Sequence, residues 1–253
     1  MLFIDNQVMA PDSLILITRS GEPGRALCAR VEALGFRALH CSPVALSGPA
    51  DAEATAARLA ASLPADRIII TSPEGIRQAV ALVGRDSLAG CLVIVPGPGS
   101  AAIAHELGLE QVLCPSSTGN SEAMLALPEL EDVNGARILI LAAAGGRRLL
   151  EKVLAERGAD VERVHVYRRM QHALPDDLDK ALQQAGPVIT LASSAGALEG
   201  LHTQMSDSSW NRLTQGLMIV PSERVAELAA ALGCLRVRNA GGADDEAMLN
   251  CLD

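Results

Sequence analysis

Aromatic side chains are almost missing from this sequence. Its 253 residues include two Phe, one Tyr and one Trp, at Phe3, Phe36, Tyr167 and Trp210. Platforms that stack unpaired bases need several aromatic faces in a row, so that mode of nucleic-acid binding is excluded. Blocks of Lys or Arg are missing too. The formal net charge is −9, which disfavours loose association with DNA or anionic lipid. No apolar run approaches the ~20 residues that a membrane-spanning helix needs. The six cysteines, Cys28, Cys41, Cys91, Cys114, Cys234 and Cys251, form no Cys-x-x-Cys pair. They read as small core residues of a reduced protein, not as a zinc cage or disulfide frame. The stretch Met1–Ser13 carries Asp5 and Asp12 and lacks the basic-then-apolar order of a secretory leader. A soluble cytoplasmic chain with no nucleic-acid or membrane partner is expected.

Several catalytic signatures are absent as well. Gly97-x-Gly99 lacks the third Gly of a dinucleotide turn, and no acidic residue ends the strand around Val112 and Leu113. Gly145-Gly146-Arg147-Arg148 lacks the Gly-Lys-Ser/Thr ending of a phosphate loop. The five histidines, His40, His105, His165, His172 and His202, show no i,i+4 pair and no neighbouring Cys, so no metal site is expected. No Gly-x-Ser-x-Gly elbow is present, which leaves an esterase triad unsupported.

What remains is an Ala-, Leu-, Val- and Ile-built chain, 49% hydrophobic and 20% charged, of globular composition. Strand-like and helix-like stretches alternate along it. Strands are expected at 14–18, 37–41, 67–71, 91–95 and 111–114, then at 137–141, 161–168, 188–191, 217–220 and 235–237. Helices fit near 24–34, 51–63, 73–83, 99–107 and 120–127, then near 146–157, 175–185, 194–204, 222–232 and 243–252. This is one set of five units, made twice. Val95-Pro96 leading to Gly108 matches Val220-Pro221 leading to Gly233, and Thr71-Ser72 matches Ser193-Ser194. Gly24-Arg25-Ala26-Leu27 ending at Gly35 matches Gly146-Arg147-Arg148-Leu149 ending at Gly158. The matches keep their order at nearly one offset, which reads as an internal duplication with a domain-sized period. Alternating β and α elements imply parallel sheets covered on both faces, in two flavodoxin-like domains.

Ligands of such sheets sit beyond the carboxyl ends of the strands. The turns there are rich in Ser, Gly and Arg: Thr18-Arg19-Ser20-Gly21, Thr71-Ser72-Pro73, Gly97-Pro98-Gly99-Ser100, Gly145-Gly146-Arg147, Ser193-Ser194 and Ser222-Glu223-Arg224. Helix capping explains each Ser or Thr taken singly. The same free N–H groups, aided by the helix dipole, can hold anions instead. Arg19, Arg147 and Arg224 are harder to explain by capping, because a cation at a helix start opposes the dipole. An anionic partner is the expectation for them, with Glu223 or Glu227 as an internal alternative for Arg224.

The chain resembles the uroporphyrinogen-III synthase family. The resemblance lies in Leu14-Ile15-Leu16-Ile17-Thr18-Arg19, Ile70-Thr71-Ser72, Gly97-Pro98-Gly99-Ser100-Ala101 and Ser121-Glu122-Ala123-Met124-Leu125. It continues in Gly146-Arg147-x-Leu149-Leu150, Val166-Tyr167-Arg168-Arg169, Ser193-Ser194 and Pro221-Ser222-Glu223-Arg224-Val225-Ala226. The resemblance implies a discontinuous first domain, 1–43 with 168–253, a second domain, 44–167, and a two-stranded connector with the active site in the cleft between the domains. It implies cyclisation of hydroxymethylbilane, a linear tetrapyrrole, without a cofactor; a monomer is expected separately, because no long exposed apolar stripe is evident in the sequence. The resemblance assigns Tyr167 to departure of water. Arg19, Ser72, Gly97, Ser100, Ser121, Gly146, Arg147, Ser193, Ser194, Ser222 and Arg224 become substrate-binding candidates. The chain departs from the family pattern at Ser20, where Pro is common, and at Ala142-Ala143-Ala144, where Arg-Gly is common. The competing expectation is a two-lobed, non-catalytic binding protein for a small polyanion.

Overall fold

The computed structural model describes residues 13–116 and 120–252, so the leader reading of Met1–Ser13 falls almost wholly outside the described residues. The chain runs β1 (Leu14–Ile17), α1 (Gly21–Ala33), β2 (Arg37–His40), β3 (Val44–Ser47), α2 (Ala52–Ala61), β4 (Arg67–Ile70), α3 (Pro73–Val83) and α4 (Arg85–Leu88). It continues through β5 (Leu92–Ile94), α5 (Pro98–Glu106), β6 (Val112–Leu113), α6 (Ser121–Leu125), β7 (Arg137–Ala143), α7 (Leu149–Glu156) and β8 (Asp160–Gln171). The last part is α8 (Leu178–Gln184), β9 (Val188–Leu191), α9 (Ala195–Gln204), α10 (Asp207–Gln215), β10 (Leu217–Val220), α11 (Glu223–Ala231), β11 (Arg236–Asn239) and α12 (Asp245–Leu249). Three of these elements were not expected from sequence: β3, α4 and α10.

The elements form two compact units. The first is Met1–Ala45 with Met170–Asp253, and the second is Leu46–Arg169. The first unit's sheet has the order β11-β10-β9-β1-β2, all parallel. In chain order its strands stand 2-1-3-4-5, the flavodoxin-like arrangement. The second sheet has the order β3-β8-β7-β4-β5-β6, and β4 to β8 are parallel. With its edge strand β3 set aside, the second sheet repeats the first spatially: β4 stands where β9 does, β5 where β10 does and β7 where β1 does. The chain enters this arrangement at a different strand, so the order along the sequence becomes 3-2-1-4-5. The duplicated halves of the sequence are therefore not the units. Each sheet takes two neighbouring strands from one half and three from the other.

Both sheets are covered on both faces, which explains why central strands such as β1, β4, β9 and β10 are runs rich in Ile, Leu and Val. In the first unit Leu14 and Leu16 meet α8, α9, α10 and α11, while Ile15 and Ile17 meet α1 and α12. In the second unit Ile68 and Ile70 meet α2, α3 and α5, while Ile69, Ile138 and Ile140 meet α6 and α7. Alternate residues of a strand point to opposite faces, so each run feeds two cores at once. No helix among the described residues is long and apolar enough to cross a membrane.

Candidate functional site

The carboxyl edge of the second sheet carries Ser72 after β4, Gly97 after β5, Gly146 and Arg147 after β7, and Tyr167 near the end of β8. The placement of Tyr167 depends on an irregularity. Ala142 of β7 pairs with His165, but Ala143 pairs with Tyr167, so Val166 is an extra residue in β8. Without it, Tyr167 would share the exposed face of His165. With it, Val164, Val166 and Tyr167 are all buried in one core, and Tyr167 is only 3% exposed. A buried phenol needs a hydrogen-bond partner. The Tyr167 hydroxyl finds one in Ser72, 2.9 Å away. Ser72 Oγ also accepts the Gly75 N–H at 3.1 Å and so caps α3. One serine thus serves a helix end and the phenol together.

Beside this pair lies an open cavity of about 410 Å³. Its wall includes Tyr167, Arg168 and His165 of β8, Ala144 after β7, the α2 cap Asp51, and Thr55 and Arg58 of α2. In the sequence Arg168 stands within the motif Val166-Tyr167-Arg168-Arg169 and is not among the expected substrate-binding residues. A basic residue next to the single Tyr was the signal available.

The other second-unit candidates sit as follows. Gly97 is extended and occupies the cap position of α5, while Ser100 is buried inside the first turn, its N–H donating to the Gly97 carbonyl at 3.0 Å. Ser121 opens α6, but the cap there is Asn120, whose Oδ1 accepts the Ala123 N–H at 2.8 Å. Gly146 has φ 88°, a left-handed conformation that favours glycine. Helix α7 starts at Leu149 with Arg148 at its cap position, so Arg147 lies just before the helix and not in its first turn. Arg147 makes a two-pronged ion pair with Glu122, at 2.7 and 3.2 Å, and this holds the Glu122 carboxyl below its ordinary range.

In the first unit, Thr18 after β1 is fully buried. Its hydroxyl donates to the Leu191 carbonyl at 3.0 Å, accepts the Ser193 N–H at 2.9 Å and lies 3.1 Å from the Ser193 hydroxyl. Ser194 caps α9 by accepting the Ala197 N–H at 3.2 Å. Arg19 also precedes its helix, and it pairs with Asp245 at 3.2 Å and donates to the Ala243 carbonyl. The anionic partners expected for Arg19 and Arg147 are thus carboxylates of the chain itself. Of the three, Arg224 alone lies inside the first turn of its helix, α11, where the dipole argument is strongest. Arg224 is exposed and has no hydrogen bond or ion pair to the described residues. Glu223, offered as its partner, instead accepts from Asn239 at 3.2 Å. Ser222, at the α11 cap position, makes no side-chain cap.

Cysteine chemistry is disfavoured by burial. It pushes the Cys41 thiol up to about 12 and the Cys234 thiol up to about 11. Burial, with Glu32 adding to it, takes Cys28 to about 11. Such thiols stay protonated near neutral pH and are poor nucleophiles. No group of three or more His, Cys, Asp or Glu among the described residues could hold a metal ion.

Comparison with known proteins gives this edge a context. The family model described as uroporphyrinogen-III synthase HemD matches residues 25–250. The uroporphyrinogen-III synthase of Salmonella typhimurium is 32% identical over 246 residues, covering 94% of this chain and 99% of that protein. The uroporphyrinogen-III synthase of Escherichia coli is 30% identical over 248 residues, with 94% and 99% covered. A solved structure of a mutant uroporphyrinogen III synthase from Thermus thermophilus aligns with a TM-score of 0.59 at 20% identity, over 94% of this chain and 96% of that one. The Helicobacter pylori uroporphyrinogen-III synthetase aligns at 0.58 and 13%, over 94% and 97%. These two structures show a shared two-domain α/β fold. With a family match across most of its length and relatives aligned nearly end to end, the chain belongs to the uroporphyrinogen-III synthase family.

Proposed function

We propose that this chain cyclises hydroxymethylbilane to uroporphyrinogen III, and that Tyr167 assists the departure of water. Membership of a hydro-lyase family supports the reaction and disfavours a non-catalytic binding protein. One observation carries the assignment within the site: a buried tyrosine that lines a cavity and whose hydroxyl lies 2.9 Å from Ser72 Oγ, the residue that follows β4 at the carboxyl edge of a parallel sheet.

The substrate loses its terminal hydroxyl to leave an azafulvene on ring A. Ring D then attacks through its substituted carbon, giving a spiro intermediate that reopens and closes with ring D inverted. The net change is loss of one water. Ser72 Oγ already accepts the Gly75 N–H, so its own proton is free to go to the Tyr167 oxygen. The phenol proton is then left for the departing hydroxyl. Unaided closure gives the unrearranged isomer, so most of the catalytic task is holding the chain in one folded form.

We further infer that Ser100, Ser121, Gly97, Gly146 and Arg147 of the second unit, and Arg19, Ser193, Ser194, Ser222 and Arg224 of the first, contact substrate carboxylates through N–H, hydroxyl or guanidinium groups. Arg224 is the strongest of the basic candidates because it has no internal partner. The two units are taken as the two domains of a cytoplasmic monomer. The test is direct. Purified protein is given enzymatically made hydroxymethylbilane, and isomers I and III are resolved. Isomer III well above the spontaneous background supports the reading, and its absence overturns it.

A further inference from the structure

The cavity beside Tyr167 holds a cation that the fold leaves unanswered. Arg168 is half-buried, its Nε is shielded from solvent, and that atom has no hydrogen-bond partner. No hydrogen bond or ion pair joins its guanidinium to any described residue. A shielded donor without a partner is unfavourable, so a structure that keeps one calls for an explanation.

Several other polar groups on the cavity wall are engaged elsewhere. The Asp51 carboxylate accepts the Ala54 N–H at 2.9 Å, and the Thr55 hydroxyl donates to the Asp51 carbonyl at 2.6 Å. Arg58 pairs with Glu162 at 2.9 Å and donates to the Arg163 carbonyl at 3.1 Å. Asp51 keeps its second carboxylate oxygen and Arg58 its Nη1, but Arg168 is the one cation on this wall with no hydrogen bond or ion pair to the described residues. The volume, about 410 Å³, lies in the range of small-molecule sites and exceeds what a lone inorganic anion fills.

We propose that Arg168 is the anchor of a carboxylate pocket, and that the pocket takes one carboxylate arm of the pyrrole whose hydroxyl leaves at Tyr167. This inference rests on the function proposed above and adds a binding role for Arg168. The guanidinium meets the carboxylate with its planar donor fork. The β8 irregularity that turns Tyr167 into the core also places this donor one residue further along the same cavity wall.

Arg168→Gln and Arg168→Lys test it, with melting midpoints confirming that both variants fold. Binding of uroporphyrin III, the oxidised product, is followed by fluorescence. Thermal stabilisation by tricarballylate, a simple polycarboxylate, is followed in parallel. Arg168→Gln is expected to weaken uroporphyrin binding about tenfold or more and to raise KM in proportion while kcat changes little. Arg168→Lys should recover part of the loss. Equal uroporphyrin affinity and equal tricarballylate stabilisation in wild type and Arg168→Gln would overturn the pocket. If wild type binds no uroporphyrin, yet tricarballylate stabilises it and not Arg168→Gln, the anion pocket stands and the tetrapyrrole reading falls.

Discussion

The carboxyl edges of the two sheets share a scaffold and differ in chemistry. Ser72 in the second unit and Ser194 in the first occupy equivalent places, after β4 and β9. Both are extended, with φ −167°, and both accept an N–H three residues on, at 3.1 and 3.2 Å. This cap is the repeated, structural part. Only the Ser72 hydroxyl also meets a phenol. The first unit has no counterpart of Tyr167, since β2 ends at His40 while its equivalent β8 runs on to Gln171. The two edges share a helix cap, and one of them also carries a tyrosine that a register shift in β8 turns into the core.

The sharpest way to break this comparison is to remove that hydroxyl. Tyr167→Phe keeps the buried ring and is expected to lower turnover about tenfold to a hundredfold, read as isomer III formed per unit time. Turnover equal to wild type, with chemistry rate-limiting, would place the phenol among packing groups. Next in size is a matched pair. Ser72→Ala and Ser194→Ala should each lose about 1 kcal/mol of stability in denaturant titration, because each removes a cap of the same geometry. Only Ser72→Ala should also lower kcat, by several-fold, since only that serine orients Tyr167, whereas loss of the Ser194 hydroxyl, a proposed carboxylate contact, should show in KM. Equal turnover in the two variants would erase the distinction between the edges.

Much of the architecture was legible in the sequence because apolar runs such as Leu14–Ile17 and Arg67–Ile70 have few alternatives to a buried strand. Strand β3 was hidden because Val44-Ala45-Leu46-Ser47 is flanked by Ser-Pro and Gly-Pro, which reads as loop, and it lies at a sheet edge. Helix α10 was hidden by its polar sequence, Asp-Ser-Ser-Trp-Asn-Arg-Leu-Thr-Gln, in which Trp210 and Leu213 supply the large apolar contacts. At the site, the Ser and Gly turns were visible but their partners were not. Ser72 and Tyr167 lie 95 positions apart, and their meeting depends on a register shift that no residue pattern announces. Arg19 and Arg147 attracted notice for their charge, yet Asp245 and Glu122 reach them only through tertiary folding.

A smaller effect separates the units by pH. Cys28, Cys41 and Cys234 all belong to the first unit, and burial lifts each thiol above its ordinary value of 9.0. Above that value the unfolded chain sheds thiol protons that the folded chain retains. Stability is therefore expected to fall as pH rises from 9.0 toward about 11 to 12, while thiol labelling of the folded protein stays slow. Labelling as fast as in denaturant would contradict this. The smallest effect expected is that of Glu122→Gln, which removes a fully exposed ion pair to Arg147. Its unfolding midpoint should match wild type at high salt, and the Glu122 contribution should vanish as pH falls through its lowered folded-state value.

The interrupted first unit has a consequence for synthesis on the ribosome. The second unit is one continuous stretch, so its sheet can close while the last third of the chain is still being made. Strand β1 is translated early, yet one of its two neighbours, β9, comes more than 170 residues later. Until then Leu14-Ile15-Leu16-Ile17, destined for the middle of a sheet, has an unpaired edge open to other nascent chains. Slowing translation beyond residue 170 should prolong that exposure and increase the demand on chaperones.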